Sequence, residues 1–324
     1  MGAKKRTRKR TQPSQARAPK PPADATPVLL MAYGSAPAHT EDGVRAYLDH
    51  ILNHYRGATA TDVEVADLLA RYEAIGSSPL YDVTGRVARA LQEALDRGSK
   101  PYDVRVGMKH SPPFIADAVN VASEGGAASG VAIALAPFRS RLTSEAYYKE
   151  VREASAAHAM EWVYPPDWHR HPRFLALWER LISDALRDGE DTVVVFTNHS
   201  LPARILQWND PYPEQFAATA GELADRLGLH KWSLAFQSAG GGDQAWLGPS
   251  LFEVIGDWIS QGAKDFVVAP IGFLADHLEV RYDIDLDAMK MAKELGVTLR
   301  RTEMPNDEPE MVDLLTDLVR AAGD

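Results

Sequence analysis

The sequence predicts an α/β protein of two Rossmann-like, doubly wound units, each with a parallel sheet, and a cleft between the units. Three observations lead to this fold class. Fully apolar runs, such as 193–196 and 266–269, indicate strands that are buried on both faces of a parallel sheet. These runs alternate with segments of helical periodicity, which is the pattern of βαβ units. A chain of 324 residues is long enough for two such units.

The first unit is expected at residues 26–166, and its elements follow from apolar runs and helix-end signals. The strand at 27–32 is followed by a helix that Thr40 or Asp42 can cap, and Gly98 follows the third helix. The predicted helices lie near 40–55, 62–72, 80–95, 113–124 and 144–158. The predicted strands lie near 27–32, 102–107, 130–136 and 161–164.

The second unit is expected at residues 167–324, after the pair Pro165-Pro166 that marks the crossing between units. Turn-like residues at 188–191 precede its first strand. The predicted helices lie near 174–187, 214–227, 249–260, 275–295 and 308–322. The predicted strands lie near 193–198, 232–236, 266–271 and 297–300. We expect the C-terminal helix to pack back against the rest of the protein.

The charge distribution separates a basic tail from an acidic body. Residues 1–25 carry eight basic side chains against Asp24, a charge of +7, which leaves −17 for the rest of the formal −10. This tail is too polar to bury a core, so we expect it to be disordered. The acidic body argues against nucleic acid as the main partner.

Because no apolar run has the roughly 20 residues that a transmembrane helix needs, and no signal peptide is present, we expect a cytoplasmic protein.

The absence of cysteine restricts the metal chemistry of the chain. Disulfides, thiolate zinc sites and an iron–sulfur cluster held by this chain are excluded. Any metal ion must therefore bind to imidazole, carboxylate or other oxygen ligands.

Polar side chains follow two of the buried strands. His199 ends the strand at 193–198, and open α/β sheets bind ligands beyond the carboxyl ends of their strands. After the strand at 266–271, Glu279, Asp283 and Asp287 have i, i+4, i+8 spacing and form one acidic stripe on the predicted helix. If His199 and Glu279 meet, they suit Fe²⁺, Co²⁺ or Zn²⁺. A structural histidine and a solvated acidic helix face are the alternatives.

The remaining histidines and the loop aromatics are less specific signals. His277 lies two positions before Glu279, about 200° away around a helix, so we interpret it as a supporting group. Aromatic side chains on loops, at Tyr33, Tyr147 and Trp246, favour a large flat ligand, although core anchors are the alternative. We interpret six other histidines as surface residues: His50, His54, His158, His169, His171 and His230.

Seven motifs, in this order along the chain, resemble those of ferrochelatases. They are Met31-Ala32-Tyr33-Gly34, Arg71-Tyr72-Glu73-Ala74-Ile75-Gly76 with Ser78-Pro79-Leu80, Asn198-His199-Ser200-Leu201-Pro202, Asp210-Pro211-Tyr212-Pro213, Phe236-Gln237-Ser238, Trp246-Leu247-Gly248-Pro249 and Ala275-Asp276-His277-Leu278-Glu279. The resemblance covers the chain from about residue 27 to its end. It implies a chelatase-like fold and insertion of Fe²⁺ into a porphyrin without ATP, in a cleft between two Rossmann-like halves.

The resemblance also implies roles for individual residues. His199 and Glu279 become the catalytic pair that handles the metal and the protons, with Asp283 and Asp287 as an outer metal or proton path. The porphyrin is expected to contact Tyr33, Arg71, Tyr72, Ser78, Tyr147 and Trp246. Tyr33 is similar to the axial tyrosine of the coproporphyrin branch, which favours coproporphyrin III over protoporphyrin IX. Fe²⁺ and the porphyrin are then the substrates of a monomer that has no permanently bound cofactor.

Two departures from the branch pattern concern the propionates. Arginines usually follow the histidine-isoleucine pair of the first helix, but Leu52-Asn53 follow it here, which leaves Arg45 or Arg56 as imperfect substitutes. Arg139 and Arg141, after the strand at 130–136, are a second hypothesis for holding propionates.

Two rival functions stay open. One is a cobalt or nickel chelatase for a sirohydrochlorin-type ring, and the other is a non-catalytic module that binds haem or porphyrin.

Overall fold

The computed structural model describes residues 24–158, 160–187, 191–241 and 244–323. Predictions about residues 1–23 of the basic tail and about the turn at 188–190 lie outside the described residues. Within the described ranges, none of the helices combines the length and the apolar character that crossing a membrane requires.

The first sheet has four parallel strands in the order β2-β1-β3-β4. The strand β1 is central and is almost entirely buried, as its apolar sequence predicts. The side chain of Thr61 and that of Glu64 form a capping box at the start of the second helix. The elements are β1 (Thr26–Ala32), α1 (Glu41–Arg56), α2 (Asp62–Ile75), α3 (Leu80–Leu95), β2 (Tyr102–Met108), α4 (Ile115–Glu124), β3 (Ser129–Ala134), α5 (Ser144–Ser155) and β4 (Glu161–Val163).

The second sheet also has four parallel strands, in the order β6-β5-β7-β8. A 3₁₀ helix (Ala203–Trp208) follows β5, and a π-helix (Val280–Ala288) lies between β7 and α9. The other elements are α6 (Pro172–Ala185), β5 (Val193–His199), α7 (Tyr212–Leu227), β6 (Trp232–Gln237), α8 (Leu251–Ser260), β7 (Asp265–Ala269), α9 (Met289–Glu294), β8 (Thr298–Arg301) and α10 (Pro309–Gly323).

Both sheets have the same strand order, and the predicted fold class is confirmed. In each sheet the order reverses between two central strands, β1 and β3 in the first and β5 and β7 in the second. A crevice opens at such a switch point, beyond the carboxyl ends of the two strands. The fold therefore provides two ligand-binding edges, one in each unit.

One predicted helix differs in the structure. The sequence predicts continuous α-helix over 275–295, but helical structure begins at Leu278 and passes into the π-helix at Val280. The reason is local hydrogen bonding at the start of this segment. The backbone N–H of Asp276 donates to the side chain of Asn306, which holds residues 274–276 in a turn outside the helix.

The C-terminal helix α10 packs on both units. Its buried leucines, including Leu314 and Leu315, belong to the main core. Arg180 of α6 pairs with Glu310 at 3.0 Å, and Arg86 of α3 forms a two-point ion pair with Asp307 at 2.9 Å. The last segment of the chain thus fixes helices of the two units to one another.

Candidate active site in the cleft

A cleft of about 700 Å³ opens where the switch points of the two sheets face each other. Its first wall includes Ala32 to Ser35 after β1 and Leu135 to Phe138 after β3. Its second wall includes His199 to Pro202 at the end of β5 and the segment from Gly272 to Glu279 after β7. The four central strands of the fold therefore end at one cavity, which is large enough for a drug-sized or larger ligand.

His199 is the last residue of β5, and its orientation is fixed by the backbone around it. Its Nδ1–H donates to the carbonyl oxygen of Ser200, so the proton of a neutral ring sits on Nδ1. The Nε2 atom then lies 3.3 Å from Oε1 of Glu279. Behind the ring, Oδ1 of Asn198 accepts the N–H of His199 and the hydroxyl of Tyr212. A neutral His199 therefore presents an Nε2 lone pair to Glu279 and the cleft.

Glu279 stands at the beginning of the helical segment after β7 and faces two histidines. Its Oε2 atom is 3.4 Å from Nε2 of His277, whose Nδ1–H donates to the carbonyl of Ala275. The sequence argument that His277 faces about 200° away from Glu279 is wrong, because the helix begins only at Leu278. His277 lies in the preceding turn and directs its ring toward the same carboxylate.

The two central groups shift each other's pKa. Burial lowers the pKa of His199, but the charge of Glu279 and its hydrogen bond outweigh burial and raise the pKa to about 8. Burial raises the pKa of Glu279, but the charge of His199 and hydrogen bonds from His199 and His277 lower it well below its ordinary value. At neutral pH, the pair is thus an imidazolium facing a carboxylate.

The acidic stripe extends from this pair, but its members differ in environment. Burial raises the pKa of Asp283, although its hydrogen bond from Ser238 opposes the shift and the charge of Glu279 adds to it. Asp287, which is one turn further on, is exposed at the surface. Because residues 280–288 form a π-helix, these positions do not repeat with the α-helical period that the sequence predicted.

Five of the six residues predicted to contact a porphyrin line the cleft: Tyr33, Tyr72, Ser78, Tyr147 and Trp246. The sixth, Arg71, is exposed and is not part of the lining. Its guanidinium lies 4.9 Å from the centre of the Tyr282 ring. Because α2 directs Arg71 toward the π-helix, the structure places this side chain outside the lining, and its contact with a porphyrin stays a prediction.

The polar atoms of the lining differ in their availability. The hydroxyl of Tyr72 accepts the N–H of Ala36 and bonds to Ser35, so it is already occupied. In contrast, Oγ of Ser78 and Nε1 of Trp246 are buried and have no hydrogen-bond partner within the described protein. Buried polar atoms of this kind are normally paired, so both are candidates for bonding a ligand in the cleft.

Arg139 and Arg141, the second hypothesis for holding propionates, do not belong to the lining of the cleft. Arg139 pairs with Asp167 at 3.3 Å, and Arg141 stacks over Trp208 beside a separate cavity. Of the two substitutes in the first helix, Arg45 is bound to Asp62 at 2.7 Å. These three side chains are held by neighbours outside the cleft.

Two other arginines do line the cleft. Arg56, the last residue of α1, belongs to the first unit, and Arg204 in the 3₁₀ helix belongs to the second. Within the described ranges, no acidic side chain forms an ion pair with either of them. The guanidinium of Arg204 lies 5.6 Å from the centre of the Trp208 ring. Because a cation–π contact leaves the positive charge unneutralised, both guanidinium groups can still attract an anionic ligand.

Sequence reasoning missed a group of residues beyond the end of β2. Lys109 is only 2% exposed and pairs with Glu150 of α5 at 2.7 Å. His110 is buried against the ring of Tyr33, with the ring centres 4.6 Å apart, and its Nδ1 lies 3.0 Å from that of His50. Burial lowers the pKa of His110 to about 2, which makes it a neutral ring. The position after a buried strand, which singled out His199, was the signal that could have identified Lys109 and His110.

The two parallel sheets and the cleft between them form a chelatase-like fold. The structure resembles that of SirB from Bacillus subtilis with Fe³⁺, with a TM-score of 0.59, 12% identity and coverage of 92% of this chain and 95% of that chain. A second SirB structure, described as a sirohydrochlorin chelatase in complex with cobalt, gives a TM-score of 0.55 at 10% identity, with coverage of 92% and 95%. At such identities the likeness establishes the fold only.

The sequence comparisons identify the family within this class. A family model described as Ferrochelatase matches residues 25–322, so the chain belongs to the ferrochelatase family. The coproporphyrin III ferrochelatase of Geobacillus kaustophilus is 36% identical over 302 residues, which is 90% of this chain and 94% of that protein. A protein named ferrochelatase from Herpetosiphon aurantiacus is 36% identical over 303 residues, covering 91% and 98%. The resemblance noted in the motifs, and with it an enzyme of this family, is confirmed.

Proposed function

We propose that this protein inserts Fe²⁺ into coproporphyrin III and so forms the iron porphyrin of a haem biosynthetic route. The observation that carries the proposal is the pair of His199 and Glu279, 3.3 Å apart, at the edge of a cleft of about 700 Å³. Relatives named coproporphyrin III ferrochelatase that are 34–36% identical over most of the chain support the choice of substrate.

Metal insertion requires two pyrrole N–H protons to leave while the hydrated ion exchanges water for ring nitrogens. The neutral form of His199, which is the minor form at pH 7 because its pKa is about 8, offers an Nε2 lone pair to the metal ion or to a proton. Glu279, whose pKa is lowered, remains a carboxylate and can accept a proton from the ring side. Asp283, whose pKa is raised, binds a proton more readily than an ordinary aspartate and can take over that proton. Exposed Asp287 completes a route to water in this proposal.

The cleft offers contacts for a planar ring and for its carboxylates. Tyr33, Tyr147 and Trp246 provide aromatic surface, and the unpaired Oγ of Ser78 can donate a hydrogen bond. Arg56 and Arg204 supply positive charge from opposite units, which suits a substrate that carries several propionates. Coproporphyrin III has four propionates and protoporphyrin IX has two, so unpaired arginines in the cleft favour the former.

Anaerobic turnover with coproporphyrin III and protoporphyrin IX side by side tests the proposed substrate. We expect a higher kcat/KM for coproporphyrin III, and Arg56→Ala and Arg204→Ala should each raise its KM about tenfold, the effect of losing one charged hydrogen bond. Arg320→Ala, on the exposed side of α10, serves as the matched control and should leave KM unchanged. Equal or better turnover of protoporphyrin IX would select the alternative substrate.

A non-catalytic porphyrin-binding module is the second candidate, because the cleft alone would suffice for binding. Zinc insertion followed by fluorescence separates the two functions. An enzyme produces the zinc–porphyrin spectrum, whereas a binding module only quenches the free porphyrin. We expect His199→Ala to abolish insertion while porphyrin binding remains largely intact. Substantial residual turnover in this variant would contradict the role of His199.

The proposal also covers the cofactor requirement, the oligomeric state and the location of the enzyme. Fe²⁺ is a substrate here and not a resident cofactor, and the lack of cysteine means that the chain cannot hold an iron–sulfur cluster through thiolates. A single chain contributes both walls of the cleft, which supports action as a monomer. We propose the cytoplasm as its location.

A further inference from the structure

The loop before α10 is hydrogen-bonded to the turn that directly precedes the acidic member of the pair. Asn306 has a φ of 44°, a left-handed conformation that asparagine tolerates better than most residues. Its Oδ1 accepts the N–H of Asp276 at 2.9 Å, its Nδ2 donates to Oδ2 of Asp276 at 3.1 Å, and its own N–H donates to the carbonyl of Leu274 at 2.8 Å. One side chain and its backbone thus fix residues 274–276, directly before His277 and Glu279.

The same turn is held from a second direction by Arg301 of β8. Its guanidinium donates to Oδ1 of Asp276 at 3.1 Å and to both carboxylate oxygens of Asp285 in the π-helix, at 2.7 and 3.1 Å. Asp276 precedes Glu279 in the chain and Asp285 follows it. Arg301 therefore fixes the backbone on both sides of Glu279.

The residue after Asn306 connects this network to the opposite wall of the cleft. Both carboxylate oxygens of Asp307 are bonded by Arg86 of α3 at 2.9 Å. The face of α3 next to the cleft contributes Leu80, Val83 and Val87 to its lining. A short path therefore joins the wall of the first unit to the turn of the second. It consists of the Arg86–Asp307 ion pair, the peptide bond between Asn306 and Asp307, and the hydrogen bonds between Asn306 and Asp276.

We propose that Asn306 and the Arg86–Asp307 ion pair are positioning residues for metal insertion, which hold Glu279 and His277 in register with the wall that receives the macrocycle. The inference rests on the proposed function, and it assigns these residues no contact with the reacting atoms. Mutation of side chains that hydrogen-bond to metal ligands and orient them typically costs about 10–100-fold in metal affinity or activity, and we expect the lower end of this range for groups that act through the backbone. The substrate and the catalytic turn are, on this view, aligned by contacts between the units.

The solvent exposure of the Arg86–Asp307 ion pair allows a positioning role to be distinguished from a contribution to stability. The side chain of Arg86 is 43% exposed and that of Asp307 is 33% exposed. Ion pairs as open to solvent as this one add little to the stability of a fold. A variant that loses the pair should therefore remain folded, and a loss of activity would then report geometry.

Steady-state kinetics of four variants of the full chain test the ion pair. We expect Arg86→Gln and Asp307→Asn each to lower kcat about tenfold, with porphyrin KM within about twofold and an unchanged melting temperature. Arg86→Asp combined with Asp307→Arg should recover most of the lost kcat. Arg180→Gln is the matched control, because Arg180 also pairs with the segment at the start of α10 but lies within the second unit. Unchanged kcat in both single variants would overturn the proposal, as would losses confined to KM.

A measurement that needs no turnover distinguishes failure of this inference from failure of the proposed function. In protein with ¹³C-labelled histidine, the ring signals of His199 and His277 should move in Asn306→Gly and in Arg86→Gln. Glycine keeps the positive φ accessible, so Asn306→Gly removes only the amide. Asn209→Gly is the control, since Asn209 also has a positive φ, of 49°, but does not line the cleft. Signals that stay unchanged would refute the positioning role even if the wild-type enzyme inserts metal, and an inactive wild type with shifted signals would refute only the function.

Discussion

Replacing Glu279 with glutamine removes the negative charge opposite His199 and nearly preserves the shape of the side chain. The pKa of His199 is raised from 6.5 to about 8 against the effect of burial, chiefly by Glu279. Without that charge the remaining burial should bring the pKa to 6.5 or below, a fall of about 1.5 units or more. At pH 7, the neutral fraction of His199 should rise from about one tenth to about three quarters or more.

The titration can be followed through the ring signals of ¹³C-labelled histidine between pH 5 and 10, with the signal of His199 assigned from a His199→Gln spectrum. Asp287→Asn is the matched control, because it removes an exposed acid from the same helical segment. We expect Asp287→Asn to leave the pKa of His199 unchanged. If the pKa in Glu279→Gln stays within about half a unit of the wild-type value, the carboxylate does not hold the imidazolium and the account of the pair fails.

The pKa shifts of His199 and Glu279 also determine how the stability that the pair contributes depends on pH. The pKa of His199 is raised on folding, so its contribution is fully present below pH 6.5 and is lost as pH rises through about 8. The pKa of Glu279 is lowered from 4.5 on folding, so its contribution is present above that pH and is lost as pH falls through the folded value. The difference in melting temperature between wild type and Glu279→Gln should thus be larger at pH 6 than at pH 9.

Two further predictions concern the packing around the site. A Cβ at Gly272 would lie 1.9 Å from Oδ1 and 2.9 Å from Cα of Asn198, so Gly272→Ala should lower the free energy of unfolding by about 2 kcal/mol or more in urea titrations. Gly256→Ala, at a helical glycine with open space around it, should instead be neutral or slightly stabilising. Glu150→Ala should cost about 3 kcal/mol, because it leaves Lys109 buried without its partner, and Glu150→Asp should recover part of that loss. Wild-type stability in Gly272→Ala or Glu150→Ala would contradict the corresponding argument.

The sequence was informative wherever short-range pattern decides structure. The apolar run at 193–196 predicted a buried parallel strand, and the switch-point rule then predicted a ligand-facing side chain at its end. His199 is that side chain, and it lines the cleft. The same reasoning applied to the strand before Gly272 predicted a carboxylate near His199, and Glu279 is found 3.3 Å away from it.

Long-range contacts explain what the sequence did not predict. The π-helix and the position of His277 depend on Arg301 and Asn306, which come later in the chain and bond to Asp276. Periodicity within the segment carries no information about those partners. Arg139 was a hypothesis for holding a propionate because it follows a strand, but in the structure it pairs with Asp167. Partners distant in sequence decide whether a surface charge is available.

The identical strand order of the two sheets has a consequence for the symmetry of the site. In that order β1 corresponds to β5, so Tyr33, just after β1, and His199, at the end of β5, occupy nearly equivalent places in the two units. A symmetric dimer of half-length subunits would have to present the same residue at both places, because its two sides are copies of one gene product. A single polypeptide is free of that constraint, so a phenol and an imidazole can lie on opposite sides of one substrate.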